Sequence, residues 1–152
     1  ANQLDCLQLV LNSAARAVTN TSKFHHITHI LKSLHWLKIS QRVHYKILSI
    51  SYKCLRSNKP AYLRNLLTTQ CTSTTRSSSA ITLKRPYNPS RLKITNRSFY
   101  HSAPALWNNL PLELRLFKSH PSNTLSSVDF QLSPSQFHKR LKAYLYTQSF
   151  PP

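Results

Sequence analysis

The stretch Ser40-Gln-Arg-Val-His-Tyr-Lys-Ile-Leu-Ser-Ile-Ser-Tyr-Lys-Cys-Leu-Arg-Ser57 decides how the chain is read. At 100° per residue, Arg42, Lys46, Ser49, Lys53 and Arg56 fall on one narrow strip. Val43, Ile47, Ile50 and Cys54 form one apolar flank and His44, Leu48 and Leu55 the next, while Tyr45 and Tyr52 border the strip on its other side. The pattern predicts a central helix, capped at Ser40, buried over most of its circumference and showing solvent a ladder of cations edged by two tyrosines. No acid stands four residues away to pair with those cations, so a phosphate backbone is the expected counter-charge, with the tyrosines available to stack on a sugar or base.

Upstream, Leu4, Leu7, Leu11, Ala14, Ala15 and Val18 have helical spacing, with Asp5, Gln8, Asn12 and Arg16 opposite, which predicts an amphipathic helix closed by Asn20. A shorter helix is expected over Ile27 to Leu34. Downstream, Asn58-Lys59-Pro60 ends the central helix, and Pro60 at a first helical position suits a short helix through Leu67. Thr68 to Ala80 is Ser/Thr-rich without periodicity and reads as a disordered linker. Ile81 to Arg85 and Arg91 to Thr95, separated by Pro86-Tyr87-Asn88-Pro89, suit a short β-hairpin. Ser98 caps a helix to about Asn109 in which Pro104 predicts a kink or a late start, and Pro111 restarts a turn through Leu116. Residues 118 to 133 are polar and irregular. A last helix follows Ser133-Pro134 with Phe137, Leu141, Tyr144 and Leu145 on one face. The expected fold is therefore mainly α, a small helical domain of about five or six helices with a short hairpin. Its regions are a helical region at 1–67, a linker at 68–80, and a hairpin with a C-terminal helical region at 81–152.

Composition narrows the chemistry. Between Asp5 and Glu113 stand 16 Lys/Arg and no carboxylate, and with Asp129 the acids number three against a net charge of +18 in 152 residues. Two-metal phosphoryl transfer, glycoside hydrolysis and aspartic proteolysis each need carboxylates converging on one point. The expectation is a binder of anions rather than a self-sufficient enzyme. There is no Gly, so Gly-rich phosphate loops are excluded, and Asn20, Asn58, Asn88 and Asn96 are the candidates for positive φ. There is no Met either, which reads as a piece of a longer protein. Cys6, Cys54 and Cys71, odd in number and far apart, suit a reducing compartment. No apolar run approaches a membrane span, so a nuclear or cytoplasmic, non-secreted protein is expected.

Several strings are specific in combination. They are Leu7-Gln8-Leu9-Val10 with Asn12-Ser13-Ala14-Ala15-Arg16, His26-Ile27-Thr28, Leu31-Lys32-Ser33-Leu34-His35-Trp36-Leu37, and Lys46-Ile47-Leu48 with Tyr52-Lys53. They continue with Pro60-Ala61-Tyr62-Leu63, Ala103-Pro104-Ala105-Leu106-Trp107-Asn108-Asn109-Leu110-Pro111 and Phe137-His138-Lys139-Arg140-Leu141-Lys142. In this order they resemble the C-terminal region of reverse transcriptases of LINE-type, non-LTR retrotransposons of the jockey-like branch. The resemblance implies a thumb followed by a post-thumb segment, with RNA or RNA–DNA duplex and the palm and fingers of the parent polymerase as partners. The family's Tyr-x-Asp-Asp strand has no counterpart here, so the resemblance implies no catalytic residue in this chain. The sequence departs from the family at Asn20 and Asn96, where relatives often carry Gly, and at Lys38, where Pro is common.

The candidate contacts are Lys38, Arg42, Tyr45, Lys46, Tyr52, Lys53 and Arg56, with a second basic set of Lys84, Arg85, Arg91, Lys93 and Arg97 flanking the hairpin. His35-Trp36 and Trp107 read as core anchors. His25, His26 and His29 lack a Cys or carboxylate to complete a metal site, and the thiols lack a nucleophile signature, so no metal, cofactor or small-molecule ligand is expected. Competing readings are a structural or interaction domain packing on the polymerase body, a remnant of a mobile element, and a cationic membrane-active protein. The aromatic-rich helix faces, which look like packed core, argue against the last.

Overall fold

Apolar residues at helical spacing fold into seven α-helices among the described residues, which in this computed structural model are 3–70, 80–87, 95–118 and 128–151. The helices are α1 (Gln3–Thr19), α2 (Ile27–Ser33), α3 (Ile39–Ser57), α4 (Ala61–Arg64), α5 (Phe99–Asn108), α6 (Leu112–Arg115) and α7 (Pro134–Ser149). Two short strands, β1 (Thr69–Gln70) and β2 (Thr82–Leu83), and a 3-10 turn at Thr95–Arg97 complete the fold. The mainly helical class is thus as expected, with a small antiparallel sheet. Two compact units form, Ala1–Tyr45 with Leu141–Pro152 and Lys46–Arg140, dividing the chain inside α3 and α7.

In the first unit, Ala15, Ile30, Leu31 and Phe150 form the core, with Leu11, Ile27, Leu34, Trp36 and Tyr146 packed around it. Both α1 and α2 end in the same way. Asn20 (φ 50°) and His35 (φ 54°) take left-handed conformations, and each following N–H reaches back five residues, Thr21 N to Arg16 O at 3.1 Å and Trp36 N to Leu31 O at 3.0 Å. These are Schellman caps built without glycine, on residue types that tolerate the left-handed region. Asn58 (φ 55°) also turns left-handed after α3, whereas Asn96 lies in the 3-10 turn and Asn88 falls outside the described residues.

The inward stripe of α1 differs from the expected one. Gln8, Leu11, Asn12, Ala15, Arg16 and Thr19 face the unit's interior, while Leu4, Leu7, Val10, Ala14 and Val18 are exposed. The cause is polar: Gln8 Oε1 accepts the Ile39 N–H at 2.9 Å, and Gln8 Nε2 donates to Asn12 Oδ1 at 2.8 Å. A face that satisfies orphan N–H groups at the start of α3 is turned inward in preference to a purely apolar one. For the same reason Ser40 is not the cap. The helix already includes Ile39, and the Lys38 carbonyl accepts the first intrahelical bond from Arg42 N at 3.0 Å.

The second unit is organised on aromatics. Tyr52 stacks on Phe137 (4.0 Å between centroids, 12°) and lies 4.7 Å from Phe130, and Trp107 meets Phe130 edge-on at 5.8 Å. Trp107 is fully buried and donates its Nε1–H to Ile81 O at 3.0 Å, as the anchor reading requires. The neighbouring Asn108 pairs with the strand through both amide atoms, accepting from Leu83 N at 2.9 Å and donating to Leu83 O at 2.8 Å. Trp107-Asn108 therefore holds β2 and the residue before it by these hydrogen bonds. On its other edge β2 pairs antiparallel with β1, Thr69 opposite Leu83 and Gln70 opposite Thr82. Among the described residues, the partner of β2 comes from the start of the Ser/Thr segment. Of that segment, residues 71–79 lie outside the described residues, as do 91–94, while Ala80 bridges Leu116.

Helix α5 begins at Phe99 after Ser98 and runs through Pro104, its sixth residue, so it does not start late. Helix α7 opens with a reciprocal cap. Ser133 N donates to Gln136 Oε1 at 3.1 Å, Gln136 N donates to Ser133 Oγ at 3.3 Å, and Pro134 fills the first helical position.

Candidate nucleic-acid interface

The cations of α3 arise where its periodicity puts them. Leu48, Ser51, Tyr52 and Leu55 are buried at i, i+3, i+4 and i+7, so the opposite strip of Arg42, Lys46 and Lys53 is exposed and Arg56 is half-buried. The buried face is narrower than expected, since Val43 is exposed and Ile47 and Ile50 are not fully buried.

In the second unit, Lys46, Lys53 and Arg56 line a cavity of about 620 Å³ together with Ser49, Ile50, Ser57 and the edge of Tyr52 of α3 and Pro134 and His138 of α7. No carboxylate contributes to its wall. Ser49 Oγ and His138 Nδ1 stand 3.4 Å apart across it. Arg56 is aimed by its neighbour, donating from Nη1 to the Tyr52 hydroxyl at 3.1 Å. Tyr52 itself corrects the sequence reading. Its ring is 2 % exposed within the aromatic core, and its hydroxyl donates to Leu132 O at 2.8 Å. It positions Arg56 and is not open to a base, because the face toward Phe137 and Phe130 gains more by packing than by meeting water.

In the first unit, Arg42 and Tyr45 line a separate pocket of about 360 Å³ with His35, Trp36, Leu37 and Lys142. The Arg42 guanidinium carbon lies 5.7 Å from the Trp36 ring centroid, and its Nε–H donates to Leu37 O at 3.0 Å. Trp36 is half-buried, which departs from the core-anchor reading. The Schellman cap at His35 turns the chain so that the indole covers the edge of the core with part of its surface left in the pocket. The His35 ring stacks on Tyr146 at 5.9 Å, whose hydroxyl donates to Lys32 O at 3.1 Å. Lys38 is half-buried with its Nζ 5.4 Å from the Phe150 centroid, so it is engaged in a cation–π contact.

Of the second basic set, Lys84, Arg85 and Arg97 are exposed, and Arg91 and Lys93 fall outside the described residues. Sequence reasoning missed Lys142 and His138. Both lie off the apolar face of α7, and helical spacing gives no sign of which partner helix lies beside them.

Burial sets the remaining chemistry. It pushes the Cys54 thiol up, against the smaller opposing pull of Arg64 and Lys53, and Cys6 is exposed. Burial lowers the His44 pKa and that of Arg115. Among the described residues no three His, Cys, Asp or Glu side chains converge as a metal site, and no helix is long and apolar enough to cross a membrane.

No family model, curated protein or solved structure matches the chain.

Proposed function

We propose that the chain is a basic nucleic-acid-binding module, without catalytic residues of its own, that holds RNA or an RNA–DNA duplex by its phosphates. The observation that carries this reading is the carboxylate-free cavity walled by Lys46, Lys53 and Arg56 on one face of α3. Cations held on a rigid helix with no acid in the cavity wall to neutralise them favour a polyanion, and the contact is electrostatic and shape-based instead of base-specific. The resemblance to the thumb and post-thumb region of non-LTR retrotransposon reverse transcriptases points to the same ligand. It makes a polymerase palm the neighbouring body, and the nucleus or cytoplasm is the proposed place of action.

Fluorescence anisotropy with a labelled RNA hairpin, an RNA–DNA hybrid and single-stranded DNA across a salt series tests it. Affinity is expected to fall steeply with salt. In the triple variant Lys46→Gln, Lys53→Gln, Arg56→Gln the salt slope becomes shallower by about one for every phosphate that the removed cations had neutralised. An affinity that is flat in salt and unchanged in the triple variant removes the reading.

One observation favours a second reading. Leu7, Val10, Ala14 and Val18 form an exposed apolar stripe on α1, as an interaction domain that packs on a further protein body would present. That reading expects salt-promoted self-association of the isolated chain and no nucleic-acid affinity.

A further inference from the structure

The pocket of the first unit has a composition that phosphate binding alone does not call for. A site that only grips a backbone needs cations, whereas this one joins two aromatic side chains, Trp36 and Tyr45, to two cations, Arg42 and Lys142, again with no carboxylate in the wall. Trp36 is one of two tryptophans in the chain, and the other, Trp107, is fully buried with its N–H satisfied. Core packing therefore accounts for Trp107 and leaves part of the Trp36 indole unexplained.

We propose that the pocket lined by Trp36, Arg42, Tyr45 and Lys142 is a seat for one unpaired nucleotide, its base against the aromatic walls and its phosphate between the two cations. The inference rests on the nucleic-acid reading above and adds to it a preference for single-stranded segments. Three features carry it. The volume of about 360 Å³ lies at the small end of the roughly 300–1,000 Å³ range of ligand pockets, room for one nucleotide and not for a base pair. Aromatic side chains bind bases through their π faces without regard to sequence, and a base stacked within a duplex has no free face to offer them. The Arg42 guanidinium is already held beside the indole by its bond to Leu37 O, so little ordering remains to be done when a ligand arrives.

The geometry is local in origin. The left-handed His35 makes the chain double back so that Trp36 follows the helix end directly, and Arg42 lies one turn into α3, where its side chain reaches back to Leu37. Lys142 is exposed and is the cation best placed to be removed without disturbing the fold.

The test uses the full chain and two probes, AMP and a labelled single-stranded oligo(A), with a blunt RNA duplex as comparison. AMP is expected to quench the tryptophan emission while ribose 5-phosphate does not, and the quench disappears in Trp36→Phe, which leaves Trp107 as the sole emitter. Trp36→Leu is expected to lower single-strand affinity about five- to a hundred-fold while duplex affinity stays within about twofold, and Trp36→Phe largely restores it. Lys142→Gln is expected to reduce the single-strand salt slope by about 0.7 and to leave the duplex slope unchanged. Equal losses for single strand and duplex in Trp36→Leu, or an unaltered ratio in both variants, overturn the seat. A chain that binds no duplex and no oligonucleotide defeats the general reading, and the AMP quench then still decides the seat by itself.

Discussion

Tyr52 shows how one residue type carries two incompatible readings. Beside a basic strip, a tyrosine suggests stacking on a base, yet its ring is packed between Phe137 and Phe130 and its hydroxyl links Leu132 O to Arg56 Nη1. Its contribution to any binding is therefore made through Arg56. Tyr52→Phe keeps the ring and removes both hydrogen bonds, leaving the Leu132 carbonyl without this donor. Urea unfolding is expected to show a destabilisation of about 1–2 kcal/mol. Duplex affinity should fall only modestly, since the Arg56 charge remains and merely loses its orientation. A stability unchanged within error would mean that water replaces the hydroxyl at no cost. The exposed part of Trp36 is the reverse case, an aromatic read as core that keeps a surface in a pocket.

At the scale of elements, α7 shows what local sequence specifies well. Ser133, Pro134 and Gln136 spell its start, and the reciprocal Ser133–Gln136 hydrogen bonds satisfy two N–H groups that the helix cannot satisfy itself. Ser133→Ala is expected to cost about 1 kcal/mol in thermal or urea unfolding, and Ser133→Asp to recover it, because an aspartate accepts the same bond and favours the positive end of the helix. Equal stability of all three forms would mean that the cap is redundant. The other main helices were legible from periodicity: α1, α2, α3 and α5 lie close to where apolar spacing puts them, and the strip of α3 followed from its spacing alone. Three features were not legible. The partner of β2 is a two-residue strand, Thr69–Gln70, too short to show alternation. The inward face of α1 was decided by Gln8 meeting the Ile39 N–H, 31 residues away and outside any window along α1. Lys142 and His138 became part of the two cavities through the placement of α7 against α3, which the polar pattern of α7 does not encode.

Over the whole molecule, a net charge of +18 makes protonation a burden on the folded state, because each added proton strengthens a field already positive. The ion pair between Arg140 and Glu113, 3.7 Å apart and exposed on both sides, does little to relieve it. His44 adds a separate effect. Burial disfavours its charged form, so its pKa in the folded state lies below the ordinary value of 6.5. As the pH falls through about 6.5, the unfolded chain takes up this proton before the folded one does, and stability drops until the lowered folded value is passed. Replacing His44 with Gln is therefore expected to flatten part of the decline in unfolding free energy between about pH 7 and pH 5. Added salt separates the two causes. Screening weakens the general repulsion between surface cations, whereas the penalty for partly desolvating the half-buried His44 imidazolium persists. Urea unfolding of wild type and His44→Gln at low and moderate salt should show a difference between the two proteins that grows as pH falls and survives the salt. Identical pH slopes would place His44 in water in the folded state and leave the acid sensitivity to net charge alone.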